Sequence, residues 1–108
     1  MKNIYIEVED YNILSNIIQK LPWDVLVFGS RIKGTHRKFS DLDLCLKANG
    51  SINLDDIAML KEALSDSDLP FTVDVVDYND LAEGFKKIID NDGVNFFDTT
   101  PKECYKTR

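Results

Sequence analysis

The sequence predicts an α/β fold in which a small mixed β-sheet is flanked by helices. Three runs of strand length and character, 24–28, 41–46 and 71–76, alternate with segments whose apolar residues recur every three or four positions. The connection over 29–40 is close to the lower limit for a parallel crossover, so we expect the sheet to be mixed rather than wholly parallel. The 108 residues are enough for one domain.

The first helix is expected between Asp10, which can cap it, and Pro22, which stops it. Its apolar face consists of residues spaced three and four apart, namely Tyr11, Leu14, Ile17, Ile18 and Leu21. Residues 31–39 are polar and basic, with room for about two helical turns. Residues 41–46 alternate strictly between polar and apolar, as a half-buried strand does.

Two further helices are expected in the second half of the chain. One begins at Asn53 or Asp55 and buries Ile57, Leu60 and Leu64. The other is capped by Asn79 or Asp80, ends near Gly93 and has its apolar face on Leu81, Phe85, Ile88 and Ile89.

The end of the chain has no clear periodicity. We therefore assign residues 1–93 to the domain and 94–108 to an irregular C-terminal tail that could contact a partner. Trp23 and three aromatic residues of the tail, Phe96, Phe97 and Tyr105, are candidates for a patch that faces a partner. Ordinary packing on the sheet is an equally good interpretation of the two phenylalanines.

Charge and composition exclude several classes of protein. The net charge of −6 argues against binding of nucleic acid by bulk charge. No run has the ~20 apolar residues of a membrane span, and Glu7 interrupts the N-terminus before an apolar signal segment forms. Cys45 in an apolar run and Cys104 in a polar segment suggest one buried and one exposed thiol rather than a disulfide, so we expect a cytoplasmic protein.

Three aspartates are candidate metal ligands and catalytic residues. Asp41 and Asp43 are two apart on a predicted strand, so they share a face with Cα atoms ~6.6 Å apart. Asp74 lies in the middle of an apolar strand, where a lone carboxylate needs a hydrogen bond, a counter-charge or a metal. A solvated strand face is the competing interpretation of the pair. Asp77, at the end of the strand of Asp74, is better explained as a turn or cap residue.

Gly29-Ser30 follows a strand and opens a predicted helix, which is a place where backbone N–H groups can meet a phosphate. It is not a P-loop, because Thr35 stands where that motif requires lysine. The only charged residues over 30–40 are basic: Arg31, Lys33, Arg37 and Lys38. This local charge of +4 contrasts with −10 for the rest of the chain. A basic stretch directly before two carboxylates suits a metal–triphosphate complex, although four such residues can also be a solvated helix face.

These residues match a known signature. Gly29-Ser30, ten residues and then Asp41-Leu42-Asp43 resemble the G-S-x10-D-x-D motif of the DNA polymerase beta-type nucleotidyltransferase superfamily. The context of the motif resembles the minimal nucleotidyltransferases, stand-alone bacterial and archaeal domains of about this length. The resemblance covers roughly residues 10–90 and implies the single-domain nucleotidyltransferase fold, a mixed sheet flanked by helices.

The resemblance also implies roles for residues. Gly29 and Ser30 would hold nucleotide phosphate, with Arg31 and Lys33 as further phosphate contacts. The carboxylates of Asp41 and Asp43 would bind two Mg²⁺ ions, and that of Asp74 would ligate the catalytic metal or activate the acceptor hydroxyl.

Three functions follow from the resemblance. Many proteins of this kind are antitoxins encoded beside a helical HEPN-domain toxin and add AMP, from ATP, to a tyrosine of that toxin, which makes Mg²⁺-dependent adenylyltransfer to a HEPN-type partner the leading hypothesis. A non-catalytic module that neutralises a helical partner by contact is the first alternative. Adenylyltransfer to a small molecule is the second, although the sequence shows no acceptor pocket. A homo-oligomer is compatible with each of the three.

Overall fold

The computed structural model describes residues 1–103, which form a four-stranded sheet, a separate pair of short strands and four α-helices. In chain order the elements are β1 Lys2–Ile4, α1 Val8–Ile18, β2 Asp24–Phe28, α2 Ser30–Lys33, β3 Leu42–Lys47, α3 Leu54–Ser65, β4 Val73–Asp77, α4 Glu83–Asp92, β5 Val94–Asn95 and β6 Thr99–Pro101. Short 3₁₀ turns at Tyr78–Asp80 and Phe96–Asp98 precede α4 and β6.

The larger sheet is mixed, as the sequence predicts. Its strand order is β4-β3-β2-β5, with β2 antiparallel to β3 and β5, and with β3 parallel to β4. The short connection over residues 29–40 therefore joins an antiparallel pair, which needs no crossover. The crossover between the parallel strands β3 and β4 contains α3.

The two faces of the sheet follow the alternation in the sequence. Leu42, Leu44 and Leu46 of β3 are fully buried in the main core, together with residues of α1 and α3 such as Leu14 and Leu60. Each buried leucine contributes about 2 kcal/mol of transfer free energy. The opposite face carries the polar positions of β3, and α4 packs against it through the edge-to-face contact of Phe85 with Phe28. The core face thus fixes which side chains the other face presents.

Three helices differ from expectation in their limits. Helix α1 begins at Val8, before Asp10, and α2 is one turn long instead of two. Gly34 ends α2 in the left-handed conformation, with φ of 79°, which glycine adopts without strain. Helix α4 begins at Glu83, because the preceding residues Tyr78–Asp80 form the 3₁₀ turn.

The prediction that the chain is irregular from residue 94 onward is wrong for 94–101. Strand β5 pairs with β2, and β6 pairs in parallel with β1. Of the candidate patch, Phe96 is fully buried and stacks on Tyr11, Phe97 is 48% exposed, and Trp23 lines a groove between α1 and α3. Tyr105 and Cys104 lie outside the described residues. Strands of two or three residues are too short to produce a recognisable alternation of polar and apolar residues in the sequence.

Within residues 1–103 no helix has the length and apolar character needed to cross a bilayer.

Cys45 is buried and free, as expected from its apolar context. Burial, and then the nearby Asp77 carboxylate, raise the pKa of its thiol to about 11. At pH 8 only about one thiol in a thousand is then the reactive thiolate. We expect iodoacetamide at pH 8 to leave Cys45 unmodified in the native protein and to alkylate it fully in denaturant, as measured by peptide mass spectrometry. Rapid alkylation of native Cys45 would contradict this placement.

Candidate active site

A row of three side chains crosses the sheet on the face opposite the main core. Phe28 of β2 pairs with Asp43 of β3, which pairs in turn with Asp74 of β4. Residues opposite one another on neighbouring strands point to the same face. The register therefore brings together two of the predicted catalytic aspartates, although they are 31 positions apart in the sequence.

Asp41 completes this acidic cluster from the residue just before β3. Its side chain is within hydrogen-bonding distance of that of Asp74. Desolvation, and then the hydrogen bond with Asp41 and its negative charge, raise the pKa of Asp74, while Lys61 acts in the opposite direction. Desolvation, and then the charges of Asp74 and Asp41, raise the pKa of Asp43. Three neighbouring carboxylates concentrate negative charge, which makes the cluster a site for a positive charge.

Gly29 allows the turn between β2 and α2 to lie directly against this cluster. Its φ of 84° and ψ of −156° belong to a region that is essentially restricted to glycine. A Cβ atom at this position would collide with the carboxylate oxygen Oδ2 of Asp43. The glycine is therefore required both by the backbone and by the close approach of Asp43. Ser30, the first residue of α2, follows it directly.

A divalent cation fits these residues if the nucleotide supplies the remaining ligands. No group of three His, Cys, Asp or Glu side chains within residues 1–103 forms a ready-made metal centre. Mg²⁺ does not require one, because it is commonly held by one or two carboxylates together with substrate phosphates and water. The contact between Asp41 and Asp74 provides such a pair of carboxylates, and Asp43 lies in register beside Asp74.

Arg31 occupies a different place from the one the sequence led us to expect. Its side chain is 2% exposed, and its guanidinium group donates hydrogen bonds to the carbonyl oxygens of Tyr5 (2.8 Å), Lys38 (3.1 Å) and Ser40 (3.0 and 3.1 Å). It also lies 4.4 Å from the ring centre of Phe71. The predicted phosphate contact has no support in this position, because the donors are used to hold the loop before β3.

We expect Arg31→Met to lower the free energy of unfolding by about 3 kcal/mol, because it removes a buried guanidinium group and leaves partly buried carbonyl oxygens unpaired. Lys33→Met is the matched control: Lys33 is exposed, and its 3.7 Å ion pair with Asp92 is worth less than about 1 kcal/mol. Urea unfolding followed by circular dichroism measures both. Equal stability of the two variants would contradict the structural role of Arg31.

The remaining candidates fall outside the cluster. Lys33 is exposed at the end of α2, one turn after Gly29. Asp77 accepts a hydrogen bond from the backbone N–H of Asn79 at 3.0 Å, which confirms its interpretation as a cap residue.

The walls of the cleft above the acidic cluster are not evident from the sequence. This cleft has a volume of about 590 Å³. Its lining comprises Phe28, Asp43, Lys61, Val73, Asp74, Val75, Val76 and Phe85. Phe85 was expected only as one member of the apolar face of the last helix, and Lys61 is an exposed lysine of α3. No signal in the sequence distinguishes either residue, because their position depends on how the helices pack on the sheet.

Residues 12–102 match the family model described as polymerase beta, nucleotidyltransferase. The chain belongs to this family and is a nucleotidyltransferase. It is 42% identical over 86 residues to the probable protein adenylyltransferase MntA of Haemophilus influenzae, an alignment that covers 78% of this chain and 75% of the relative.

Solved structures share the fold. A toxin–antitoxin crystal structure with AMP-PNP aligns with a TM-score of 0.65 at 22% identity, over 80% of this chain and 71% of that one. The MntA–HepT toxin–antitoxin structure aligns with a TM-score of 0.57 at 17% identity, over 83% and 71% of the two chains. The single-domain α/β architecture is therefore that of the nucleotidyltransferase fold.

Proposed function

We propose that this protein is an antitoxin that transfers AMP from ATP, with Mg²⁺, to a tyrosine hydroxyl of a helical HEPN-type toxin. The observation that carries the proposal is the convergence of Asp41, Asp43 and Asp74 beside the Gly29–Ser30 turn. The 42% identity to a protein described as an adenylyltransferase supports AMP as the transferred group. The toxin–antitoxin complexes among the solved structures of the same fold are consistent with a toxin as the acceptor.

Different residues along the row of side chains that crosses the sheet would hold the phosphates and the metal ions of the nucleotide complex. Ser30 and the backbone of Gly29 lie at the β2 end, where they would hold the phosphates of ATP, with Lys33 as a more distant positive charge. Asp41, Asp43 and Asp74 would hold two Mg²⁺ ions, which when bound neutralise phosphate charge and stabilise the entering and leaving oxygens. The protein itself supplies position and electrostatics, and it needs no covalent intermediate.

AMP is transferred in a single displacement at the α-phosphorus. The tyrosine oxygen forms a bond to the α-phosphorus of ATP, and the bond from that phosphorus to the oxygen bridging to the β-phosphorus breaks. Pyrophosphate leaves with the electron pair. The hydroxyl proton passes to the carboxylate of Asp74, which stands at the β4 end of the row, and from there to water. A reaction that consumes ATP in this way would take place in the cytoplasm.

The test is to incubate the full-length protein with its purified helical partner, Mg²⁺ and ATP labelled at the α-phosphate. We expect the label to appear on one tyrosine of the partner, and ATP labelled at the γ-phosphate to leave no label. Changing that tyrosine to phenylalanine should remove the signal. If the intact partner acquires no label from α-labelled ATP, the proposed function is wrong.

A further inference from the structure

Lys61 is the feature of the cleft that the proposed function leaves unassigned. It comes from α3 and lines the same cleft as Asp43 and Asp74. It is also a positively charged neighbour of Asp74. Lys61 is an exposed residue, and among residues 1–103 it is the only basic side chain in the lining of this cleft.

The strand order places Lys61 at a definite end of the site. In the order β4-β3-β2-β5, the Gly29–Ser30 turn follows β2, whereas Asp74 lies on β4 at the edge of the sheet. Lys61 is next to that edge strand. The row of side chains thus has a phosphate end at β2 and an opposite end at Asp74 and Lys61.

A second cleft continues from the Lys61 end. Its volume is about 490 Å³, and it shares Lys61 and Val73 with the first cleft. Phe39, Phe71 and Thr72 are among the residues that line it, and Phe39 is 69% exposed. The two clefts therefore adjoin at the β4 edge, on the side of the acidic cluster where Lys61 lies.

In-line displacement requires the attacking and leaving oxygens to lie on opposite sides of the phosphorus. With pyrophosphate leaving at the Gly29–Ser30 end, the attacking oxygen has to arrive from the Asp74 end. We infer that Lys61 contacts the acceptor tyrosine oxygen, and that the segment carrying this tyrosine enters through the cleft between Phe39 and Phe71. This inference rests on the proposed function and adds to it the side from which the acceptor arrives.

The charge of Lys61 suits this position. Negative charge builds up on the phenolic oxygen as it loses its proton, and the acidic cluster next to it would oppose this charge. An ammonium group on the acceptor side stabilises the charge where it develops, which favours the transition state over the bound substrates. The exposed ring of Phe39 offers the segment around the tyrosine an aromatic contact at the mouth of a cleft whose lining is otherwise largely polar.

The kinetic test compares Lys61→Gln, Lys61→Arg and the control Lys87→Gln, which removes the same charge from an exposed position of α4. At saturating ATP we expect Lys61→Gln to lower kcat for AMP transfer by about 10- to 100-fold. Lys61→Arg should recover part of this loss, and Lys87→Gln should match the unchanged protein. Binding of a fluorescent ATP analogue with Mg²⁺ should be equal in all four proteins. Unchanged transfer by Lys61→Gln, or loss of nucleotide affinity in step with the rate, would overturn the inference.

Photo-crosslinking tests the entry path without requiring catalysis. A benzophenone amino acid is placed at Phe39 or, as a control, at Met59, which is also 69% exposed but lines the groove between α1 and α3. With the purified partner we expect a crosslink from position 39 to the tyrosine-bearing segment and none from position 59. A crosslink in the absence of AMP transfer would refute the proposed function but keep the path, whereas transfer with no crosslink at 39 would refute the path alone.

Discussion

The double variant Asp41→Asn/Asp43→Asn is expected to lose AMP transfer by about 10³-fold or more, because the amides keep the shape of the site but remove the charges that attract divalent cations. Initial rates with labelled ATP and the purified partner measure this loss. Asp77→Asn is the control: it removes one carboxylate charge at the opposite end of the β3–β4 pair, beside Leu46, and its amide oxygen can still accept the hydrogen bond from the N–H of Asn79. Transfer by the double variant at the rate of Asp77→Asn would exclude a role for the pair in catalysis.

The same double variant distinguishes neutralisation of the toxin by AMP transfer from neutralisation by contact alone. If neutralisation of the toxin depends on AMP transfer, cells that produce the toxin together with the double variant stop growing. If contact alone is sufficient, they grow as they do with the unchanged protein, and the proposed mechanism of neutralisation is contradicted. Co-purification of the double variant with the toxin shows that the complex still forms.

The acidic cluster also predicts a change in stability. The pKa of Asp43 is raised by burial and by neighbouring carboxylates, so its ionised form is disfavoured in the folded state at neutral pH. Removing the two charges should therefore raise the melting temperature of the protein without Mg²⁺. Adding Mg²⁺ and a non-hydrolysable nucleotide should stabilise the unchanged protein more than the double variant, and so reduce the difference. A lower melting temperature for the double variant would argue against repulsion within the cluster.

Gly29→Ala is expected to have the second largest effect, because it damages both the fold and the site. The backbone conformation at this position, with φ of 84° and ψ of −156°, is unfavourable for alanine. The Cβ of alanine would also collide with the carboxylate of Asp43. We expect the free energy of unfolding to fall by about 2 to 4 kcal/mol and AMP transfer to be lost, since Asp43 has to move. Chemical denaturation and the transfer assay measure the two effects on the same preparation.

Gly84→Ala provides the control, because Gly84 lies in α4 and has no heavy atom within 4 Å of an added Cβ. This change should leave transfer intact and stabilise the protein by up to about 1 kcal/mol. A double-mutant cycle divides the Gly29 effect: in an Asp43→Ala background the collision with the carboxylate is absent, so Gly29→Ala should cost less stability there. Equal costs in both backgrounds would show that backbone strain alone is responsible.

The acidic cluster was predictable in part because alternation is a local property. Leu42, Leu44 and Leu46 have to face the core, so Asp43 has to face away from it, and the pattern around Asp74 leads to the same conclusion. The sequence does not contain the register that makes Asp43 and Asp74 neighbours. That register follows from the parallel pairing of β3 with β4 through α3. The family motif identified the paired aspartates without it.

Arg31 shows why side chains in loops were harder to predict. The basic stretch suggested a phosphate contact, and whether an arginine faces a ligand or the interior depends on which carbonyl oxygens come within its reach. In this protein they belong to Tyr5, Lys38 and Ser40, of which Tyr5 is 26 positions away. Lys61 is a different case: it is exposed, as a lysine of a helix surface usually is, and it also lines the site. Both positions are consequences of tertiary packing.

The parallel pairing of β1 with β6 has a consequence for how the protein is made on the ribosome. Ile4 accepts a hydrogen bond from the N–H of Lys102 at 2.8 Å, and the Tyr11 hydroxyl donates one to the Thr99 carbonyl at 3.2 Å. Contacts across so much sequence form late. A nascent chain that lacks residues 94–101 cannot supply Phe96 to the core or cover β1, and it exposes apolar surface to proteases and chaperones. The core beneath the acidic cluster can therefore be completed only after residue 101 has been synthesised.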